Sequence, residues 1–82
     1  MRTVDIRFVK ERDSKKLAEQ AQMMERLAKV LPERIEEKFA DVYVKVRFSS
    51  SSGMEISGFR NEERNKFMEF MEEIWDDPFL LD

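Results

Sequence analysis

The stretch Val42-Tyr43-Val44-Lys45-Val46-Arg47-Phe48 alternates apolar and polar side chains without interruption. Because successive side chains of a strand point to opposite faces, this pattern predicts a β-strand with one buried face and one face in water. The same alternation predicts a strand over Thr3–Val9 and a shorter one over Met54–Ser57. The loop Ser49–Gly53 is short, so we expect the last two strands to pair as a hairpin.

The residues between the first two strands have the spacing of a long amphipathic helix, which begins after a cap at Asp13 or Ser14. Its apolar residues recur at steps of three and four and form one stripe. They are Leu17, Ala21, Met24, Ala28, Leu31, Ile35 and Phe39. Pro32 lacks an N–H and crowds the preceding turn, so we expect a kink or a break near Leu31. The stripe stays in phase across the proline, which favours a kink.

A second amphipathic helix follows Gly58, which ends the third strand. We expect Asn61 to cap this helix, and Glu62 and Glu63 suit the positive end of its dipole. Pro78 ends it, because proline cannot continue the hydrogen-bond ladder. The apolar positions on its inner face are Phe67, Phe70, Met71 and Ile74.

Together these elements predict a single α+β domain over residues 1–82, in the order β-α-β-β-α. Each strand has one apolar face and each helix one apolar stripe. We therefore expect a three-stranded sheet with both helices packed on one face and with the other face in water.

The composition excludes several classes of function. The chain contains neither cysteine nor histidine, which removes thiolate chemistry, the commonest metal ligand and the commonest general base near neutral pH. We expect no enzymatic activity, no metal site and no cofactor. No apolar run approaches the roughly 20 residues that a membrane-spanning helix needs. We expect a monomeric, cytoplasmic protein with no membrane partner.

Charge is distributed unevenly along the chain. The segment Asn61–Asp82 has eight acidic and two basic residues, whereas residues 1–60 carry a net charge of +3. At about 100° per residue, one charged stripe of the second helix lies opposite the apolar face. It consists of Glu62, Lys66, Glu69, Glu73 and Asp76, with Glu72 and Asp77 on its flanks. Carboxylates at this spacing can imitate a nucleic-acid backbone and attract a basic groove. A merely solvated helix face is the more common explanation of such a stripe.

Trp75 lies at the end of the same helix and is followed by the apolar tail Phe79–Leu81. An exposed tryptophan can anchor a protein partner. A large aromatic residue at helical spacing more often closes the end of a small core, and we favour that interpretation.

The open sheet face offers a rival site. It carries basic and aromatic side chains that can contact phosphates and stack on a base. These are Arg7, Tyr43, Lys45 and Arg47. Only one of them is aromatic, and Asp5 and Glu55 reduce the positive charge of this face. We therefore expect a solvated face and disfavour direct nucleic-acid binding.

Several segments resemble the DinI family in register. They are Leu31–Phe39, Val44–Phe48, Met54–Gly58, and Asn61–Arg64 with its continuation to Glu73–Asp76. The resemblance covers about residues 28–82 in sequence and the whole chain in element order. It implies the small β-α-β-β-α fold of that family, with both helices on one face of the sheet.

The resemblance also implies a function. DinI-like proteins are non-enzymatic modulators of the bacterial SOS response that bind RecA filaments on single-stranded DNA. They stabilise or remodel these filaments and interfere with their coprotease action on the mutagenesis protein UmuD. The family's acidic C-terminal helix is implicated as a mimic of DNA charge. Carried over by position, this role falls on Glu62, Glu63, Glu69, Glu72, Glu73, Asp76 and Asp77. Apart from the resemblance, we expect Trp75 and Phe79 to add contacts that give the binding its specificity. Other DinI-like members act as phage antirepressors, so a transcriptional repressor is the alternative partner.

Overall fold

The computed structural model describes residues 1–81, which form three strands and two helices in the predicted order. The elements are β1 (Arg2–Val9), α1 (Ser14–Glu36), β2 (Val42–Ser49), β3 (Gly53–Ser57) and α2 (Asn61–Trp75). Both helices contribute side chains to one buried cluster on the sheet, so they share one face of the sheet. The cluster consists of Val4, Ile6, Leu27, Leu31, Ile35, Ile56, Phe67, Phe70, Met71 and Ile74. The predicted α+β fold is confirmed.

The sheet has the strand order β2-β1-β3, with β1 in the centre. β1 runs parallel to β2 and antiparallel to β3, so the predicted hairpin between β2 and β3 is wrong. Val4 of β1 lies between Val44 and Ile56 and is fully buried, whereas Val44 is half-buried. The strand with the most deeply buried side chains thus takes the centre. β2 and β3 lie on either side of β1, so the chain between them must cover two strand spacings, or roughly 10 Å. The short loop between Ser49 and Gly53 can span this distance.

The first helix begins as predicted but is rotated about its axis. The Asp13 side chain caps it by accepting a hydrogen bond from the backbone N–H of Lys16, with 3.0 Å between the heavy atoms. Leu27, which is not part of the predicted apolar stripe, is buried, whereas Ala21 and Ala28 are exposed. Burying a leucine side chain removes much more apolar area from water than burying an alanine. α1 is therefore rotated so that the larger side chain, that of Leu27, is buried.

Pro32 lies inside α1, which continues as one helix to Glu36. The alternative of a break near Leu31 is therefore wrong. Leu31 and Ile35 on either side of the proline are both buried in the same cluster. Tertiary packing of these two side chains keeps the helix together where local propensity would interrupt it.

The connection from β3 to α2 turns at Gly58. Its φ is 82°, a left-handed conformation that side chains other than glycine's rarely adopt. A Cβ at this position would also collide with the carbonyl oxygen of Met1. The N-cap residue of α2 is Arg60, and Asn61 is the first helical residue. The predicted cap at Asn61 is therefore one residue too late.

Neither helix within residues 1–81 combines the length and the hydropathy that are needed to cross a membrane.

Candidate interface on the second helix

The inner face of α2 is fixed by aromatic packing. Phe67 is fully buried, and Phe39, just beyond α1, meets it edge-on with 5.1 Å between ring centroids. Phe39 also lies 5.6 Å from the ring of Phe70, and Phe59 lies 4.5 Å from that of Phe67. Edge-to-face and offset contacts of this kind are directional. They set the rotation of α2 and thereby decide which of its side chains face outward.

Five carboxylates occupy the outward face of α2. They are Glu62, Glu69, Glu72, Glu73 and Asp76, and all are exposed. None of the five forms an ion pair with another residue in the described range 1–81. At a rise of about 1.5 Å per residue, the row extends over roughly 20 Å along the helix. We call these five residues the acidic row. Glu62, Glu69, Glu73 and Asp76 follow one stripe of the rigidly packed helix, and Glu72 lies on its flank.

The other two acids that we assigned to the interface have partners within the protein. Glu63 pairs with Arg2 of β1, with 3.2 Å between Oε1 and Nη1. Asp77 follows α2, accepts a hydrogen bond from the Phe79 backbone N–H at 2.9 Å and pairs with Arg34 of α1 at 2.9 Å. The Phe79 N–H, and then Arg34, lower the pKa of Asp77 below its usual value. These two carboxylates join α2 to its neighbours.

Lysines border the acidic row on one side. Lys38, beyond the end of α1, places its Nζ 5.1 Å from the ring centroid of Phe70. It lies in a shallow groove with part of the acidic row. The groove is lined by Lys38, Phe39, Lys66, Glu69, Phe70 and Glu73. Sequence reasoning did not place Lys38 here. The available signal in the sequence was that Lys38 directly precedes Phe39, the last apolar residue of the predicted stripe. Which residues of α2 lie beside Lys38 depends on how the helices pack.

Trp75, for which we considered both a partner contact and a role in the core, lies at the carboxyl end of α2. Its side chain is 41% exposed. The apolar groove beside it is lined by Ile6, Arg7, Phe8, Ser52, Gly53, Met54 and Trp75. In the tail, Leu80 and Leu81 pack against the core, whereas Phe79 is 71% exposed. Trp75 and Phe79 thus add exposed aromatic surface close to Asp76.

The open sheet face carries all four residues of the rival site, but two of its cations face carboxylates. Arg47 donates two hydrogen bonds to Asp5, at 3.0 and 2.9 Å. This interaction lowers the pKa of Asp5 and raises that of Arg47. Arg7 lies 3.9 Å from Glu55. Lys45 and Tyr43 are exposed. Asp5 and Glu55 thus reduce the free positive charge of this face, as the sequence predicts.

Within residues 1–81, no group of three or more acidic side chains has the arrangement of a metal site. The pairings on the sheet face are ordinary cross-strand ion pairs. The exposed features of residues 1–81 are a stripe of carboxylates, a tryptophan and an open sheet face, which together are typical of a small protein-binding module.

Comparison with known proteins identifies the family of this module. The model of the DinI-like family matches residues 20–78, so the chain belongs to the DinI-like family. The matched residues begin within α1 and include β2, β3 and the whole of α2. They contain the acidic row, Trp75 and Lys38. No curated protein and no solved structure matches the chain.

Proposed function

We propose that this protein binds RecA filaments on single-stranded DNA through the acidic row and thereby modulates the SOS response as a non-enzymatic regulator. Membership of the DinI-like family supports a regulatory role of this kind. The observation that carries the proposal is the acidic row itself. Its five carboxylates, which form no ion pair within residues 1–81, lie on one side of a helix whose opposite face is held in the core.

The mechanism is electrostatic docking. The acidic row is about 20 Å long and has five carboxylates, with Lys38 and Lys66 only along one border. Its net negative charge attracts a basic groove over a long range and speeds encounter. Trp75 at the end of the row then supplies desolvated contact area, which gives specificity that charge alone does not. Because α2 is already packed, little conformational entropy is lost on binding.

The experiment is fluorescence anisotropy of the labelled protein, titrated with RecA–single-stranded DNA filaments, with free RecA and with single-stranded DNA alone. We expect binding to filaments only, with an affinity that decreases as salt is added. The variant Glu69→Lys with Glu73→Lys should abolish binding without unfolding the domain, since both side chains are exposed. Glu19→Lys with Glu25→Lys is the matched control, because it changes the net charge equally on the exposed face of α1. Full binding by the α2 variant would contradict the mechanism.

Two other functions remain as proposals with their own tests. A transcriptional repressor bound by the same acidic row would be captured in a pull-down that contains no RecA. Direct binding of single-stranded DNA by Arg7, Tyr43, Lys45 and Arg47 would appear as a titration with DNA alone at low salt. The second is disfavoured because the guanidinium of Arg47 is already bonded to Asp5.

A further inference from the structure

The outer edge of β2 is the longest unpaired strand edge of the sheet. β2 has eight residues and pairs with β1 in continuous register from Val42 to Ser49. Within residues 1–81, no strand pairs with its other side. Neither a bulge nor a proline interrupts it, although these are usual devices that protect an edge. β3, at the opposite edge, has five residues. The free edge of β2 therefore presents backbone N–H and C=O groups that an additional strand can pair with.

The core-side flank of this edge is apolar and incompletely covered. Val42, Val44 and Val46 are half-buried, and Phe48 is 38% exposed. A groove of about 240 Å³ lies beside the first of these valines, at the carboxyl end of α1. It is lined by Pro32, Ile35, Glu36, Phe39, Asp41 and Val42. A strand laid along β2 would cover this flank, and every second side chain of that strand would have to be apolar.

The flank of the β2 edge on the open sheet face favours a partner strand with negative charge. Its side chains come from Tyr43, Lys45 and Arg47, and Arg47 is bonded to Asp5. Lys45 is exposed and forms no ion pair within residues 1–81. Opposite charges on directly facing residues stabilise a strand pair, and like charges destabilise it. An acidic residue opposite Lys45 is therefore favoured.

The same charges disfavour a second copy of this chain as the occupant. Of the antiparallel arrangements of two copies of β2 that keep their core sides on the same face, the two with the longest overlap are centred on Lys45 and on Val46. The first arrangement sets Lys45 against Lys45, and the second sets Lys45 against Arg47 of the other copy. Both place cations directly opposite each other, which costs free energy.

We propose that the edge of β2 binds an extended protein segment in which apolar and acidic residues alternate, so that it adds a fourth strand to the sheet. Backbone hydrogen bonds supply the general affinity. The valine flank and Lys45 supply the specificity. This site lies on the sheet, apart from the acidic row, and does not depend on the function proposed for α2.

The test uses a peptide of alternating valine and glutamate, of the same length as β2, with both ends blocked. It is titrated into the ¹⁵N-labelled protein and followed by NMR. We expect saturable shifts and slowed amide exchange along β2. Lys45→Glu should weaken binding of this peptide about three- to tenfold and should favour a valine–lysine peptide instead. Lys29→Glu is the matched control, since Lys29 is exposed on α1 and its reversal should leave binding unchanged.

Three outcomes would overturn the proposal. The first is the absence of saturable shifts up to millimolar peptide. The second is a set of shifts confined to β3 or α2, or unaltered by Lys45→Glu. The third is a concentration-dependent dimer that buries β2 without peptide, which would assign the edge to a second copy. Filament binding in the anisotropy experiment is a separate readout, so failure here leaves the proposed function standing.

Discussion

Arg34 of α1 and Asp77, which follows α2, form an ion pair with 2.9 Å between Nη1 and Oδ2. The pair joins residues 43 positions apart, and only a third of the Arg34 side chain and a quarter of the Asp77 side chain are exposed. The second Asp77 oxygen accepts the backbone N–H of Phe79. One carboxylate thus fixes the end of α2 to α1 and sets the direction of the tail.

Removal of the Asp77 carboxylate should make the thermal stability of the protein depend less on pH. Hydrogen bonding by the Phe79 N–H, and then by Arg34, lowers the pKa of Asp77 in the folded protein. The stabilisation is therefore fully present above the unfolded pKa, about 3.9, and is lost as the pH falls through the folded value. We expect Asp77→Asn to have a lower Tm than the original chain at about pH 7, and the difference should disappear as the pH falls through the lowered pKa of Asp77 in the folded protein. Thermal denaturation followed by circular dichroism at several pH values measures this.

Asp76→Asn is the control for that experiment. Asp76 is adjacent in sequence and exposed, and it forms no ion pair in the described part of the chain. Its loss should change Tm less at neutral pH. Equal effects of the two substitutions would mean that the net charge of the segment matters and that the contact with Arg34 does not.

The rotation of α1 can be tested with two adjacent residues. Leu27 is 2% exposed, and Leu27→Ala should lower the free energy of unfolding by about 2–5 kcal/mol through a lost apolar contact and a cavity. Ala28 is exposed, so Ala28→Lys should change it by about 0.5 kcal/mol or less. Urea unfolding measures both. A large decrease in the free energy of unfolding with Ala28→Lys would contradict the rotation and would mean that Ala28 is buried, as the sequence predicts.

This pair also illustrates what the sequence could reveal of the fold. The steps of three and four residues identify α1 as an amphipathic helix, but both Leu27 and Ala28 are compatible with such a stripe. Which of them is buried depends on packing against the sheet. Strand pairing is similar, because alternation identifies β2 and β3 individually and contains no information about their neighbours. The insertion of β1 between them follows from the burial of Val4 and Ile6, which is a tertiary property.

The candidate site was predictable to the extent that it depends on helix geometry. A period of about 100° per residue is enough to place most of the acidic row opposite Phe67 from the order of the residues alone. The partners of Glu63 and Asp77 were not predictable, because Arg2 and Arg34 lie far away in sequence. On the sheet face, the sequence indicated that Asp5 reduces the positive charge, but the pairing of Asp5 with Arg47 could be seen only in the folded chain.

Substitution of Gly58 should destabilise the turn before α2. Its φ of 82° disfavours alanine, and any Cβ collides with backbone atoms of Met1 and Arg2. We expect Gly58→Ala to cost about 1–3 kcal/mol in urea unfolding. Asparagine tolerates a positive φ better than alanine does. Gly58→Asn should nevertheless be no milder, because it introduces the same collision. A clearly milder asparagine variant would show that the dihedral angle alone requires glycine.

The acids of α2 should separate into those that bind and those that stabilise. Glu63 is paired with Arg2, and a partly exposed ion pair of this kind contributes about 0.2–1 kcal/mol. Glu63→Gln should therefore lower stability by up to that amount and leave filament affinity nearly unchanged. Glu69→Gln should leave stability unchanged and weaken filament binding, with a smaller salt dependence, because one unpaired carboxylate is lost from the acidic row. Anisotropy at two salt concentrations and urea unfolding of both variants provide the comparison. If the two substitutions weaken binding equally, the partner responds to the total charge of α2, and the ion pair with Arg2 does not remove Glu63 from the interface.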